Sequence, residues 1–257
     1  LITELIGNPH FLDGKIMVNC IYEIDKSMKE YLNDAIYRQS ELKEYIEMWC
    51  HEVKTPVATS QMIIENNLNP VNKSIKEELI KIDNYVEQVL FYARSENVEK
   101  DYLIKDVKLS ELVNSVIKRN KKDLINKHVK IELENLEIDV ASDKKWLEFI
   151  LNQIINNAIK YVDETPIIKL FAKQYKDRVE LMIKDNGIGI LENELNRVFD
   201  KGFTGTTGRT KQKSTGIGLY LCKKLCYRLN HEIKIDSNSH GTVVTLVFPY
   251  SSHITLQ

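Results

Sequence analysis

From about Ile24 to Ile64, apolar side chains recur at alternating steps of three and four: Met28, Leu32, Ala35, Leu42, Ile46, Trp49, Val53 and Pro56, with Gln39 the polar exception. This spacing predicts a long helix carrying an apolar seam. A second seam, Ile75, Leu79, Ile82, Val86, Val89 and Ala93, follows the breaker Asn66-Asn67-Leu68-Asn69-Pro70. The two helices are therefore expected to fold back on each other as an antiparallel helical hairpin. A lone hairpin cannot bury a seam of this length, so pairing with a second copy into a four-helix bundle is expected, which makes the protein a homodimer.

After Glu96 the texture changes. Polar residues up to about Asp106 read as a linker, and beyond them helix and strand patterns alternate. The pattern predicts a helix over 110–126, a strand over 129–134 and a long helix over 142–161 that starts at Ser142 and Asp143. A strand pair follows at 167–174 and 178–184, then a short helix ending at Phe199 and a polar, glycine-containing stretch to Thr215. A helix over 217–229 and a hairpin of 232–236 with 242–248 close the chain. The expected fold class is α+β, with the second region an α/β sandwich open on one side. The expected domains are a linker at 1–23, a dimerisation domain at 24–97 and a second domain at 107–250.

The chain has 257 residues, enough for two domains of ordinary size. With 28% charged and 43% hydrophobic residues it fits a globular protein, not a disordered or collagenous one. Lys and Arg number 36 against 37 Asp and Glu, a net charge of −1. Nucleic acid is therefore not an expected partner, and any polyanion site must be local. No apolar run approaches the ~18 to 20 residues of a membrane helix. The chain starts at Leu1 rather than at a methionine, so an upstream membrane anchor outside this sequence is expected. Cys20, Cys50, Cys222 and Cys226 are too few and too scattered for a disulfide framework, which points to a reducing interior. The pair Cys222 and Cys226 reads as buried packing rather than a metal site.

Candidate chemistry begins at His51-Glu52-Val53-Lys54-Thr55-Pro56 inside the first helix. His51 stands about 200° around the helix from Trp49, so its ring should face solvent. Glu52 can accept the Nδ1 proton and leave the Nε2 lone pair for nucleophilic attack. Taken locally, the pair is equally an ordinary surface histidine beside a surface glutamate. It is not a His-Glu-x-x-His metal site, since Thr55 stands where the second His would be. Pro56 removes a backbone donor and is expected to bend the helix.

Two glycine pairs follow, Gly187-Ile188-Gly189 after a strand and Gly216-Ile217-Gly218 before a helix. A helix start offers free amides and a positive dipole end to phosphates. Between the pairs, Lys201, Arg209, Lys211 and Lys213 lie among Gly202, Gly205 and Gly208, a basic loop suited to closing over a triphosphate. The Asp185 carboxylate can accept from an exocyclic amine such as that of adenine. On the long helix, Asn157 offers a carbonyl oxygen to a phosphate-bound Mg²⁺, with Lys160 on the same face. Each feature alone also reads as a turn, a surface loop or a solvated helix face.

Together these residues resemble the cytoplasmic catalytic core of a bacterial sensor histidine kinase, from about Ile24 to Pro249. His51 to Pro56 is similar to the family's H box; Asn157, Asp185-x-Gly187-x-Gly189, Phe199 and Gly216-x-Gly218 are similar to its N, G1, F and G2 boxes. The phrases 49–56 and 198–205 resemble the subgroup with a short membrane-buried sensor that answers cell-envelope antibiotics. The resemblance implies a HisKA-type dimerisation domain followed by an ATP-binding domain of the GHKL (Bergerat) type, in the cytoplasmic portion of a cell-membrane protein. It implies ATP and Mg²⁺ as cofactors and a response regulator receiver domain as partner. His51 would take the γ-phosphoryl group, Glu52 would act as base, and Thr55 would position water for dephosphorylation of the regulator. Asn157 would hold Mg²⁺, Lys160 and Tyr161 would line the nucleotide and Asp185 would read adenine. Gly187, Gly189, Phe199, Thr215, Gly216 and Gly218 would shape the pocket and its lid, and Arg197 would reach the phosphates. Two positions depart from the family: Gln153 stands where an Asn is usual, and Thr204-Gly205 replaces a lid arginine, for which Arg209 or Lys201 would substitute.

Two other functions compete. A GHKL-fold ATPase acting as a conformational clamp would hydrolyse ATP without phosphorylating itself. Such hydrolases often place a glutamate one turn before the metal-binding Asn, and Gln153 cannot serve as that base. A non-catalytic dimer that binds nucleotide only to change shape is the other; His51 and Glu52 speak against it.

Overall fold

The computed structural model describes residues 9, 11–66, 69–96, 102–162, 164–206 and 215–250. It divides into two units, Leu1–Arg94 and Ser95–Gln257. The first is a pair of helices, α1 (Leu12–Glu65) and α2 (Pro70–Glu96). Helix α1 starts twelve residues earlier than the seam predicts and runs for 54 residues, about 80 Å at 1.5 Å per residue. Ion pairs four residues apart, Lys29 with Asp25 and Arg38 with Asp34, support its exposed surface. It continues without a break through Pro56.

Helix α2 begins with Pro70 in the first turn and the Asn69 side chain accepting from the Asn72 amide at 2.8 Å, the arrangement that satisfies a helix start. The hairpin closes on Cys50, Val57 and Ile64, spaced by sevens along α1 and all buried. Cys50 Sγ points to the Val86 carbonyl of α2 at 3.7 Å. Glu47 pairs with Arg94 at 2.8 Å, and Glu65 with Lys76, which pins both ends of this contact. The seam expected from the sequence is used only in part: Val86 and Ala93 of α2 are buried, whereas Leu42 and Trp49 on α1 stay 59% and 44% exposed and Ile75, Ile82 and Val89 on α2 stay 45%, 41% and 38% exposed. One partner helix covers only one flank of an apolar arc wider than 100°.

The second unit contains β1 (Lys105–Lys108), α3 (Leu109–Arg119), α4 (Lys121–Asn126), β2 (Lys130–Glu134), β3 (Asp139–Ser142) and α5 (Lys144–Lys160). These are followed by β4 (Ile167–Gln174), β5 (Arg178–Asp185), α6 (Glu192–Leu195), α7 (Gly218–Arg228), β6 (Glu232–Asn238) and β7 (Gly241–Pro249). Five strands form one sheet in the order β2-β4-β5-β7-β6, with β2 parallel to β4 and the other neighbours antiparallel. Alternate residues Ile168, Leu170 and Ala172 of β4 and Val179, Leu181 and Ile183 of β5 are buried. They form one layer of the core; Leu147, Ile150, Leu151 and Ile155 of α5 with Leu221 and Leu225 of α7 supply the other. This is the two-layer sandwich the alternating pattern called for.

Two expectations are corrected. The helix expected over 110–126 is broken at Asn120, whose buried side chain donates to the Val116 carbonyl and to Asn152 Oδ1 at 2.9 and 2.8 Å. An amide that competes with the backbone in this way favours a corner over a continuing helix. The residues 105 and 106, read as linker, open strand β1, which pairs with β3 and buries Val107. An isolated four-residue strand with one buried position carries too little periodicity to be seen in sequence.

Candidate functional site

Helix α5 is the wall on which the site is built. Asp143 caps it, its Oδ1 accepting from the amides of Lys145 and Trp146 at 2.9 and 3.2 Å, while its Oδ2 accepts from Leu103. Eleven of its residues are buried, among them Gln153. Gln153, Asn157 and Tyr161 follow at steps of four and share one face, with Lys160 beside them.

The first glycine pair meets the far end of this face. Ile188 donates its amide to the Tyr161 carbonyl at 3.1 Å. A Cβ at Gly187 would come within 2.3 Å of that same carbonyl oxygen. Gly189 has φ +69°, and a Cβ there would lie 1.7 Å from the Asn238 carbonyl oxygen. Only glycine lets this loop lie so close to α5 and to the β6–β7 turn.

The second pair meets the near end. A Cβ at Gly218, the first residue of α7, would lie 2.9 Å from Gln153 Oε1. One turn further along α7, Cys222 Sγ points to the Ile150 carbonyl at 3.8 Å. Helices α5 and α7 therefore run antiparallel here, and Asn157 stands between the Gly187 loop and the start of α7. The Asn157 side chain is half-buried and makes no hydrogen bond among the described residues. Burial pushes the Lys160 ammonium below its ordinary pKa, and the nearby Lys127 adds to the effect.

Asp185 ends β5. Its Oδ1 accepts from the amides of Gly187 and Thr242 at 2.9 and 3.2 Å. Burial raises the pKa of this carboxyl, and those two amides hold it back. With both protein donors on Oδ1, Oδ2 is left to accept from a ligand. A polar cluster continues behind it: Ser237 Oγ lies 2.9 Å from Thr242 Oγ1 and accepts from the Ile190 amide at 2.9 Å. The sequence reading missed Thr242 and Ser237, which register in the sheet brings to Asp185.

The base of the loop between the glycine pairs is closed by a hydrogen bond from the Gly202 amide to the Gly216 carbonyl, 3.1 Å. Gly216, at φ +66°, would place a Cβ 2.4 Å from the Gly202 carbonyl carbon. Glu194, also missed in the sequence, holds the first leg by accepting from the Thr206 amide and hydroxyl at 2.8 and 2.7 Å. Arg197 is exposed, stacked on the Phe203 ring at 4.6 Å and paired with Asp200 at 3.6 Å. Phe199 is half-buried under Lys223, and Thr215 Oγ1 accepts weakly from Ile217 at 3.4 Å. Gly208, Arg209, Lys211 and Lys213 lie outside the described residues.

In the helical unit, His51 is exposed, as the helical geometry predicts. Glu52 is exposed too, and no hydrogen bond joins it to His51 among the described residues. Thr55 donates its hydroxyl to the His51 carbonyl at 3.2 Å and its own carbonyl accepts from Thr59 at 3.0 Å.

The donor set fits a nucleotide carrying its own cation. Among the described residues no cluster of three His, Cys, Asp or Glu side chains is placed to hold a metal. A single neutral amide oxygen at Asn157 suits a Mg²⁺ whose remaining ligands are phosphate and water. The cavity lined by Arg178, Tyr227, Arg228 and His231 opens at the other end of β5 from Asp185 and contains none of the expected residues.

Comparison with known proteins agrees with this geometry. Residues 142–252 match the family described as histidine kinase-, DNA gyrase B- and HSP90-like ATPase. The sensor histidine kinase YxdK of Bacillus subtilis (strain 168) is 37% identical over 207 residues, 79% of this chain and 64% of YxdK. The chain thus spans just under two thirds of that relative. The sensor protein BceS of Halalkalibacterium halodurans is 31% identical over 225 residues, 85% of this chain and 67% of BceS. The solved structure of full-length ShkA in complex with AMPPNP superposes with a TM-score of 0.62 at 19% identity, over 82% of this chain and 46% of ShkA. With its ATPase-type sandwich, its glycine-flanked acidic site and these relatives, the chain belongs to the sensor histidine kinases.

Proposed function

We propose that this chain is the ATP-dependent autokinase portion of a two-component sensor: it phosphorylates its own His51 and passes the phosphoryl group to an aspartate of a response regulator receiver domain. The observation that carries the reading is the placement of Asn157 between two glycine loops on one helix face, with the half-buried Asp185 carboxylate at the end of the neighbouring strand. Asp185 Oδ2 accepts the adenine amine, Gly187 and Gly189 clear room for the base, and Tyr161 and Lys160 line the nucleotide. The amides at Gly218 and the start of α7 face the phosphates. Asn157 would hold a Mg²⁺ shared with the phosphates, which would supply positive charge against the transferring group. Arg197 adds positive charge once it leaves Asp200, and Phe199, Thr215 and Gly216 frame the lid.

In the transfer step the lone pair on His51 Nε2 attacks the γ-phosphorus in line. The bond from that phosphorus to the β,γ-bridging oxygen breaks, its electrons leave with ADP, and Glu52 takes the Nδ1 proton. In the reverse duty of regulator phosphatase, Thr55 orients the attacking water. The exposed flank along Leu42, Trp49, Ile75, Ile82 and Val89 is where a second copy packs, giving a homodimeric four-helix bundle. An upstream anchor would place the enzyme on the cytoplasmic side of a cell membrane. The subgroup answering cell-envelope antibiotics is the fitting one, given the resemblance at 49–56 and 198–205 and a relative named BceS. Gln153, an amide where a hydrolytic clamp needs a carboxylate base, favours the kinase.

The direct test is incubation with Mg²⁺ and ATP labelled on its γ-phosphate. An acid-labile, base-stable label is expected on the wild type and none on His51→Gln; label surviving in that variant overturns the assignment.

A further inference from the structure

Glu47 stands four residues before His51 on α1, so the two side chains share a face one turn apart. Its carboxylate pairs with Arg94 Nε at 2.8 Å, and both side chains are half-buried. Arg94 lies in the last turn of α2 and is the last residue of the first unit. That turn is anchored on either side of the pair. Phe91 and Ala93 are buried, and Cys50, the residue before His51, has its Sγ 3.7 Å from the Val86 carbonyl. The charge of Arg94 is felt there: burial raises the pKa of the Cys50 thiol, and Lys54 and Arg94 oppose the rise. From Arg94 the chain has only residues 95–104 before β1 opens at Lys105 in the second unit, a reach of at most about 36 Å when fully extended. The point at which α2 releases the chain therefore sets the volume that the tethered second unit can search around His51.

We propose that Glu47 and Arg94 are positioning residues for phosphoryl transfer to His51: their ion pair holds the end of α2 one turn from the acceptor histidine, so that the second unit starts its approach from a set place. This rests on the reading of His51 as the phosphoryl acceptor and deepens it. Breaking the pair leaves the imidazole and the nucleotide residues untouched and loosens only the point of departure. An ion pair that merely steadied the hairpin would change stability and leave the transfer rate alone. Both partners act through one contact, so the effects of removing them overlap instead of multiplying.

The test compares Glu47→Gln, Arg94→Gln, the two combined, and the charge-exchanged pair Glu47→Arg with Arg94→Glu, all in this chain. Three quantities are read: the rate of labelling from γ-labelled ATP at saturating MgATP, MgATP affinity by calorimetric titration, and labelling by phosphoramidate, which phosphorylates an accessible imidazole without the second unit. Each neutral single variant is expected to lose about five- to twentyfold in transfer rate, and the neutral double variant no more than the more impaired single. MgATP affinity and phosphoramidate labelling stay unchanged, and the charge-exchanged pair recovers most of the rate. Transfer at the wild-type rate in the neutral variants, losses that multiply, no recovery on charge exchange, or an equal loss of phosphoramidate labelling overturns the inference. A wild type labelled on His51 by phosphoramidate but not by MgATP overturns instead the underlying reading of His51 as the acceptor from ATP.

Discussion

At Asp185 one carboxylate oxygen organises the strand end, and the proposed function gives the other to the adenine amine. Asp185→Asn leaves an acceptor for the two amides but loses the charge that would strengthen the proposed bond to adenine. ATP affinity should fall by roughly ten- to a hundredfold, in line with about 1.5 to 3 kcal/mol for a hydrogen bond to a charged group, measured by calorimetric titration. Thr55→Ala removes a hydroxyl whose observed bond is only to its own helix. The label on His51 should form at the normal rate while dephosphorylation of the regulator slows, and equal loss of both contradicts the role given to Thr55. A third residue governs pH. His231 Nε2 lies 2.9 Å from Ser142 Oγ, its ring meets Phe248 edge-on, and its Nδ1 is buried with no hydrogen-bond partner among the described residues. Burial pushes its pKa down to about 4. The unfolded chain binds this proton more tightly than the folded one, so the full stability is present above about pH 6.5 and is lost as pH falls from there towards about 4. The loss approaches about 3 kcal/mol. Urea unfolding at pH 7.5 and pH 5 should show the drop, and His231→Phe should flatten it.

Elements differ in how much of them can be read locally. The start of α5 was legible because a cap is a contact between neighbours: Asp143 reaches amides two and three residues on. The strands β4, β5, β6 and β7 were legible from alternation and the turns between them. The break at Asn120 was not, since the amide that makes the corner also needs Asn152, 32 residues away. Nor were Thr242 and Ser237, which reach Asp185 and Ile190 across 57 and 47 residues of chain through the β5–β7–β6 register. The glycine loops were legible as motifs, and the structure supplies the reason for the residue type. Gly189→Ala puts a methyl group where the Asn238 carbonyl oxygen stands, at a positive φ. It should destabilise the sandwich by at least about 2 kcal/mol and lower the urea midpoint, while an alanine at Gly202, whose surroundings are open, costs less.

For the whole molecule, the proposed homodimer rests on the exposed apolar flank of the hairpin. Ile82 and Val89 of α2 remain 41% and 38% exposed, as Trp49 of α1 remains 44% exposed, and exposed apolar side chains on a helical hairpin suit an association site. Light scattering on the eluting protein should give twice the chain mass, and Ile82→Glu with Val89→Glu should give the single-chain mass without loss of helix content. By itself the sequence determined the helical and strand periods, the cap, the glycine positions and the residue types able to hold a nucleotide or carry a phosphoryl group. These depend on neighbours within about one helical turn or one strand repeat. Tertiary structure alone decided which stripe of α1 closes the hairpin, that Glu194 holds Thr206 and that Cys222 of α7 lies against the Ile150 carbonyl of α5. Each of those is a contact between residues far apart in the chain, fixed by the register of packed helices and paired strands, which no local pattern encodes.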